Sequence, residues 1–421
     1  YFALLDVLDD VKILPGFNII YFPTGTYFFQ GYKTFDIPSN TVIRGECSTN
    51  TIFNIDATQV LTPNYMYNHV FRMYKWNSGT DGYVSLKGGY HKSSNTLIVD
   101  DPTGFSIGNI VEIRQDNDID KMNTNLIPLQ LSQSTFDTAY YNWGANAVGE
   151  IFKIKDINGN EIIVDRKLHF TYDPKLNPRL KKLIVIENAG IENLKIHRPT
   201  QKDNYNIQIQ GCYNCWVRNI ESSYTQKAHI NLARSYRVEI RDNYFHHSYD
   251  YGGGGHGYGI AVNHRTTSSL IENNIFNTLR HAMVLSYGPN GNTFGYNYSR
   301  ESWDNSANFG LGDQKADISL HGFYPLMNLF EGNVVEYIHS SDWWGPSGPG
   351  NTFFRNRANK EKLIISDNSD YQNVIANELT YNPIGWADNF DIHSSVDHTT
   401  KHSNNDLGEI DVNKINTLPN S

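Results

Sequence analysis

Asparagine returns at a nearly regular interval through the second half of this chain, each time closing a short apolar strand. Asn219, Asn243, Asn274, Asn297, Asn333, Asn356 and Asn377 lie 24, 31, 23, 36, 23 and 21 residues apart. Around them one pattern repeats: apolar-x-apolar, a turn, a second apolar strand, then the asparagine, as in "INLARSYRVEIRDNYF" and "MVLSYGPNGNTFGYNYS". A repeat of about twenty-two residues, with very short strands and no helix between them, is one turn of a β-solenoid. Stacked turns set like residues above like. A buried asparagine at each bend is therefore expected to bond its counterparts above and below and to satisfy backbone groups that the bend leaves unpaired. These asparagines read as scaffold, not chemistry.

The rest of the sequence agrees with an all-β reading. The 421 residues include 27 Tyr and 21 Phe, and only 19% are charged. No apolar run is long enough to span a membrane. A net charge of −9 excludes the broad basic surface that general nucleic-acid binding needs. Cys47, Cys212 and Cys215 are too few for a disulfide framework, and a lone C-x-x-C has no second pair to complete a zinc site. Buried thiols or one local disulfide are expected. The opening "YFALLDVLDDVKILPG" reads as an amphipathic helix already under way, so a trimmed leader and a secreted or cell-surface protein are expected.

The stretch "IIYFPTGTYFF" followed by "FDIPSNTVIRGE" resembles the entry turn of the pectate-lyase-like family of right-handed parallel β-helix proteins, and the asparagine-punctuated coils match its later turns. The resemblance covers most of residues 18–60 and 183–380. It implies a right-handed parallel β-helix and a carbohydrate-active protein, while leaving lyase, glycoside hydrolase and phage tailspike open. The expected organisation is an N-terminal helical cap and first coils over 1–60, an inserted module over 61–182, the main β-helix over 183–384 and a wrapping tail over 385–421. Within the insertion, "NTLIVDDPTGFSIGNIVEIRQD" and "AVGEIFKIKDINGNEIIVDRKL" alternate around Pro, Gly and Asn turns, which predicts a small antiparallel β-module.

In such a fold, function belongs to outward rows and the turns beside them. Aligning inner pairs places Gln210, Ala233, Asn263, Ser286 and His321 in one outward row. His229, Tyr258 and His281 come just before the strands, and Arg234, His264, Arg265 and Tyr287 just after. Six of the fifteen histidines, His229, His246, His247, His256, His264 and His281, fall in three consecutive coils. The run "GGGGHGYG" can take positive φ and bring backbone close to a ligand while delivering His256 and Tyr258 to the strand edge. Trp303 with Phe309, and Trp343 with Trp344, are expected to wall sugar subsites through their ring faces.

This pattern suits an extended acidic polysaccharide, possible sulfation included, with an endo-acting monomer as the expected state. For β-elimination, His281 is the candidate base, with His256 as the other imidazole. Tyr258 is the donor, and Arg280, Arg265 or Arg234 neutralises the carboxylate. Hydrolysis needs two facing carboxylates. Asp242, Glu301, Asp304, Asp317 and Asp342 offer no pair in shared register, which makes hydrolase the alternative and a non-catalytic tailspike or adhesin the third reading. The resemblance leaves structural or catalytic calcium open, but no acidic cluster on the outer rows matches the family's calcium site. No metal or other cofactor is indicated.

Overall fold

The computed structural model of the chain describes residues 2–30, 34–56, 69–77, 82–118, 146–201, 204–303, 315–340, 345–366, 368–380, 390–406 and 409–410. Among these residues each coil lends one strand to each of three long parallel sheets, as the repeat predicts. The first sheet runs from Asn18–Phe22 to Thr400–His402, the second from Gly25–Gln30 to Asn405–Asp406, and the third from Phe35–Asp36 to Phe390–Ile392. The protein is a parallel β-helix.

Register passes from coil to coil without slippage. One inward column of the third sheet reads Ile207, Ile230, Ile260, Met283, Ile318, Ile338, Leu363 and Phe390. Alternation puts these side chains inside because a one-residue shift would expose the whole column. On the first sheet Phe294, Phe330 and Phe353 stack with centroids 4.9 and 5.0 Å apart. These columns belong to one continuous apolar core.

The bend between the first and second sheets carries the asparagines. Asn243, Asn274, Asn297, Asn333, Asn356, Asn377 and Asn404 are all buried, and each side-chain amide donates to the next one's Oδ1 at 2.9 to 3.1 Å. Its second N–H goes to a backbone carbonyl of the coil on the other side, such as Asn297 to Ile271. The residue before each asparagine sits in the left-handed region, and it need not be glycine: Tyr296, Arg355 and Ala376 all have φ near 54°. Such backbone persists only where its surroundings over-determine it. A second row, Asn292, Asn328, Asn351 and Gln372, repeats the device at the bend between the third and first sheets.

Three expectations need correction. Asn219 lies one position early: it is the exposed left-handed residue, bonded to Asn193, and Ile220 occupies the buried place. The coil pattern also does not stop at residue 61, because Phe71–Tyr74 joins the third sheet beside Ile207–Gln210. Residues 390–406, read as a tail from their polarity, form one more coil with Asn404 closing the ladder.

The inserted module is a closed antiparallel barrel of Tyr83–Gly88, Thr96–Val99, Ile110–Arg114, Gly149–Asn158, Glu161–Val164 and Arg179–Lys182, with its own core. The chain enters and leaves it at a clasp, where the Asn77 amide exchanges two hydrogen bonds with the backbone of Ile184, at 2.7 and 2.9 Å. At the N-terminal end of the coils, the helix Phe2–Asp10 buries Leu4 and Leu8 against the core, as expected. Cys212 and Cys215 are buried free thiols.

Asn297 is buried and makes four side-chain hydrogen bonds. Asn297→Ala is expected to cost at least about 2 kcal/mol, since it leaves buried groups of two coils unpaired. Asn219→Gly, which keeps the left-handed residue, should stay within about 0.5 kcal/mol. Urea unfolding of the two variants checks the contrast.

Candidate functional site

The strands Tyr258–Asn263 and His281–Ser286 lie side by side in the third sheet, with Tyr258 in register with His281. Their rings meet edge to face, centroids 5.2 Å apart. Arg280, one residue earlier, donates from Nη1 to the Tyr258 oxygen at 3.4 Å. His321, from the next coil, brings its ring to 6.1 Å from that of His281. The sheet thus gathers Tyr258, Arg280, His281 and His321, which the sequence had placed at two different register positions.

His281 is 5% exposed and its Nδ1 lies 2.6 Å from the Ala316 carbonyl oxygen. Only a protonated Nδ1 can bond there, so the neutral ring keeps its lone pair on Nε2. Burial, followed by the charge on Arg280, holds its pKa well below the ordinary imidazole value. The ring is a neutral base at pH 7.

The glycine run folds into a tight loop beside this group. Gly254, Gly255 and Gly257 take positive φ, as expected. At Gly257 a Cβ would sit 2.9 Å from the Asp250 carbonyl oxygen and 3.0 Å from Arg280 Cβ, so no larger residue lets the loop approach Arg280. The loop carries His256, whose Nδ1 is 2.7 Å from Asp250 Oδ2. Tyr251 in the same loop stacks on Trp303 at 5.7 Å. Trp303 stays 45% exposed, so it presents a ring face beside the loop.

Other predicted residues go elsewhere. His229 is wholly buried inside the coil, bonded to Ser222 Oγ at 2.8 Å and to the His247 carbonyl at 3.2 Å. It is an interior corner residue and cannot reach a ligand. Arg265 also lies apart from this group: it is 1% exposed, reaches into the barrel, and bonds Glu112 and the Asn146 carbonyl, each at 2.7 Å. Gly149 makes room for it, because a Cβ there would come within 2.5 Å of Arg265 Cδ. His264 stacks on Tyr287, and Tyr287 on Phe323, both at 4.9 Å, a file that runs into the barrel's core. Arg234 stands on the same side, 5.7 Å from the Trp76 ring. Trp343, Trp344 and Phe309 lie outside the described residues.

The outer face also holds groups the sequence reading passed over. Asn263 donates to Asn231 and Asn231 to Gln208, both at 2.8 Å, an amide chain along three coils. The alternation "IQIQ" and "INLA" could have revealed Gln208 and Asn231, which stand between inward pairs. Of the carboxylates weighed for hydrolysis, the three among the described residues stand apart from one another. Asp317 is fully buried and receives Ser299 and two backbone N–H groups; burial pushes it up to about 7. Glu301 is tied to Asn277 and Thr278 on a turn, Asp242 bonds Asn273 at the outer bend, and Asp304 and Asp342 lie outside the described residues. Among the described residues no group of three or more His, Cys, Asp or Glu could hold a metal ion, and no helix is long and apolar enough to cross a membrane.

No protein-family profile and no curated protein matches the chain. Solved structures do match it in shape: the tailspike protein gp49 from Pseudomonas phage LKA1 superposes with a TM-score of 0.61 at 14% identity, over 90% of this chain. What the two share is the parallel β-helix. At that identity the likeness is one of architecture, and the chain spans 56% of the tailspike's length. The family 28 exopolygalacturonase of Yersinia enterocolitica aligns over 96% of this chain and 75% of its own, at 10% identity and a TM-score of 0.39. The catalytic domain of an alpha-1,3-glucanase aligns over 89% of this chain and 56% of its own, at 11% identity and a TM-score of 0.41.

Arg265→Met strands Glu112 in the seam and should destabilise the protein by about 3–5 kcal/mol. Burial would raise the Glu112 pKa, but Arg265, Arg114 and Arg234 outweigh it and hold the carboxyl at about 2. Its folded pKa lies below its unfolded value of 4.5, so its contribution is complete above that value and fades as pH falls toward 2. Denaturant titrations from pH 6 to about pH 2 should show that acid loss in the native protein and a shallower one in Glu112→Gln.

Proposed function

We propose that this chain is an extracellular, carbohydrate-active protein that cleaves an acidic polysaccharide by β-elimination at the Tyr258, Arg280 and His281 group. The observation that carries this reading is the neutral, tautomer-fixed His281 packed edge to face against Tyr258, with Arg280 on the phenol oxygen. In the proposed step His281 Nε2 removes the proton on C5 of a uronate. The C4–O bond breaks as the C4=C5 double bond forms, and the Tyr258 hydroxyl gives its proton to the departing oxygen. Arg280 stabilises the negative charge gathering on the carboxylate and then the phenolate. His321 and the His256–Asp250 pair line the approach.

Binding of a surface polysaccharide without cleavage is a second reading, favoured by the tailspike likeness. Incubation with a panel of acidic polysaccharides separates the readings. Ultraviolet absorbance from new double bonds supports elimination, reducing ends without absorbance mean hydrolysis, and binding with neither means a receptor-binding protein.

His281→Ala should lower kcat by about 10²–10⁴, with Tyr258→Phe close behind; a loss under about tenfold for His281 makes another group the base. Because burial and Arg280 depress the His281 pKa, the acid limb of the rate profile should fall below pH 6.5, where an ordinary histidine would already be protonated.

A further inference from the structure

Three guanidinium groups converge on one carboxylate where the barrel meets the coils. Arg265, Arg114 and Arg234 all act on Glu112. Arg265 takes it directly and spends a second N–H on the Asn146 carbonyl, so that one pair is complete. The other two arginines are not matched. Nε and Nη1 of Arg234, and Nε of Arg114, are covered by protein and meet no acceptor. Arginine carries five donors, and covered donors without acceptors are rare in folded proteins. Nearby carboxylates are engaged elsewhere: Asp116 holds Arg179 at 2.8 Å, and Asp36 holds Arg72. Among the described residues, three guanidinium charges act at this partly buried seam on the one carboxylate of Glu112. Burial, and next the charge of Arg265, push the Arg234 pKa down to about 10, which is the mark of a cation lacking its partner.

Aromatic faces accompany both arginines. The Arg114 guanidinium lies 4.0 Å from the Tyr83 ring centroid and that of Arg234 lies 5.7 Å from Trp76. Trp76 is 62% exposed and packs against Tyr74. Tyr74, Gln210, Ala233 and Asn263 are one row of the third sheet, and Arg234 follows Ala233 directly. An exposed indole beside a guanidinium with unbonded donors, next to side-chain amides, offers stacking for a sugar ring, a partner for its charge and bonds for its hydroxyls.

We propose that this seam is a binding subsite for a glycan unit bearing one oxyanion, a carboxylate or a sulfate ester, held by Arg234 and Arg114 with Trp76 as the stacking platform. The proposal rests on the glycan reading above and deepens it. Arg234 lies two coils from His281, about 10 Å along the axis, so the subsite holds a unit away from the bond that breaks. The bound anion supplies the negative charge the seam lacks.

The test is a titration of protein labelled with 5-fluorotryptophan, following the Trp76 fluorine resonance, assigned with Trp76→Phe. Glucuronate and glucose 6-sulfate are the two anionic probes and glucose is the neutral control. Saturable movement of the Trp76 signal with either anion and not with glucose is expected, and the stronger probe tells carboxylate from sulfate. Arg234→Met and Arg114→Met should each weaken that binding at least tenfold. Arg234→Met should keep the native melting temperature, because it relieves like-charge crowding, whereas Arg265→Met lowers it. Absence of saturation with both anions, binding unchanged in both variants, or a melting loss in Arg234→Met equal to that of Arg265→Met each overturns the subsite. The titration reads binding alone, so a protein that makes no unsaturated product can still pass it. Conversely, polymer cleavage with an unchanged KM in Arg234→Met removes the subsite and leaves the proposed reaction standing.

Discussion

The amide-to-amide hydrogen bond between asparagines of successive coils is the interaction on which the rest of this structure depends. It fixes the bend, and the bend fixes the register of three sheets. Each buried amide is saturated, so no coil can slide relative to its neighbour without stranding polar groups in an apolar interior. Register, once fixed, decides chemistry. Tyr258 meets His281 only because their coils stack in step, although twenty-two residues separate them in the chain.

That dependence also explains how much could be read beforehand. The asparagine spacing is a one-dimensional image of the stacking, and it made the coils, the outward row and the Tyr258–His281 neighbourhood legible. Asn219 shows the limit: an asparagine can serve the ladder from inside or occupy the exposed left-handed position beside it, and sequence alone does not separate them. The last coil was hidden because two of its strands, "TKH" and "ND", carry no apolar residue. Its membership rests on Asn404 and backbone pairing.

The site was less legible than the scaffold. Histidines clustered in sequence divide in space: His229 faces the interior, His264 faces the barrel and His281 stands by Tyr258. They hold three different register positions: His281 aligns with Tyr258 and Ala228, His229 lies one residue further along its strand, and His264 follows the end of its own. The one-residue shift turns His229 to the opposite face from His281, and the barrel that His264 faces comes from residues more than eighty positions earlier. Arg265 illustrates the point, since its partner Glu112 lies 153 residues away. A tertiary contact of that span leaves no local trace in composition or periodicity.

The Asn77–Ile184 clasp has a consequence for the order of assembly. Pairing Phe71–Tyr74 with Ile207–Gln210 means closing an excursion that holds an entire barrel, while each later coil adds to a neighbour only a few dozen residues away. Long closures come late, since their entropy must be lost before contacts repay it. Growth would therefore begin among the later coils, with the barrel forming as a separate body. The N-terminal coils would then be the last to dock, and the first to peel away under load.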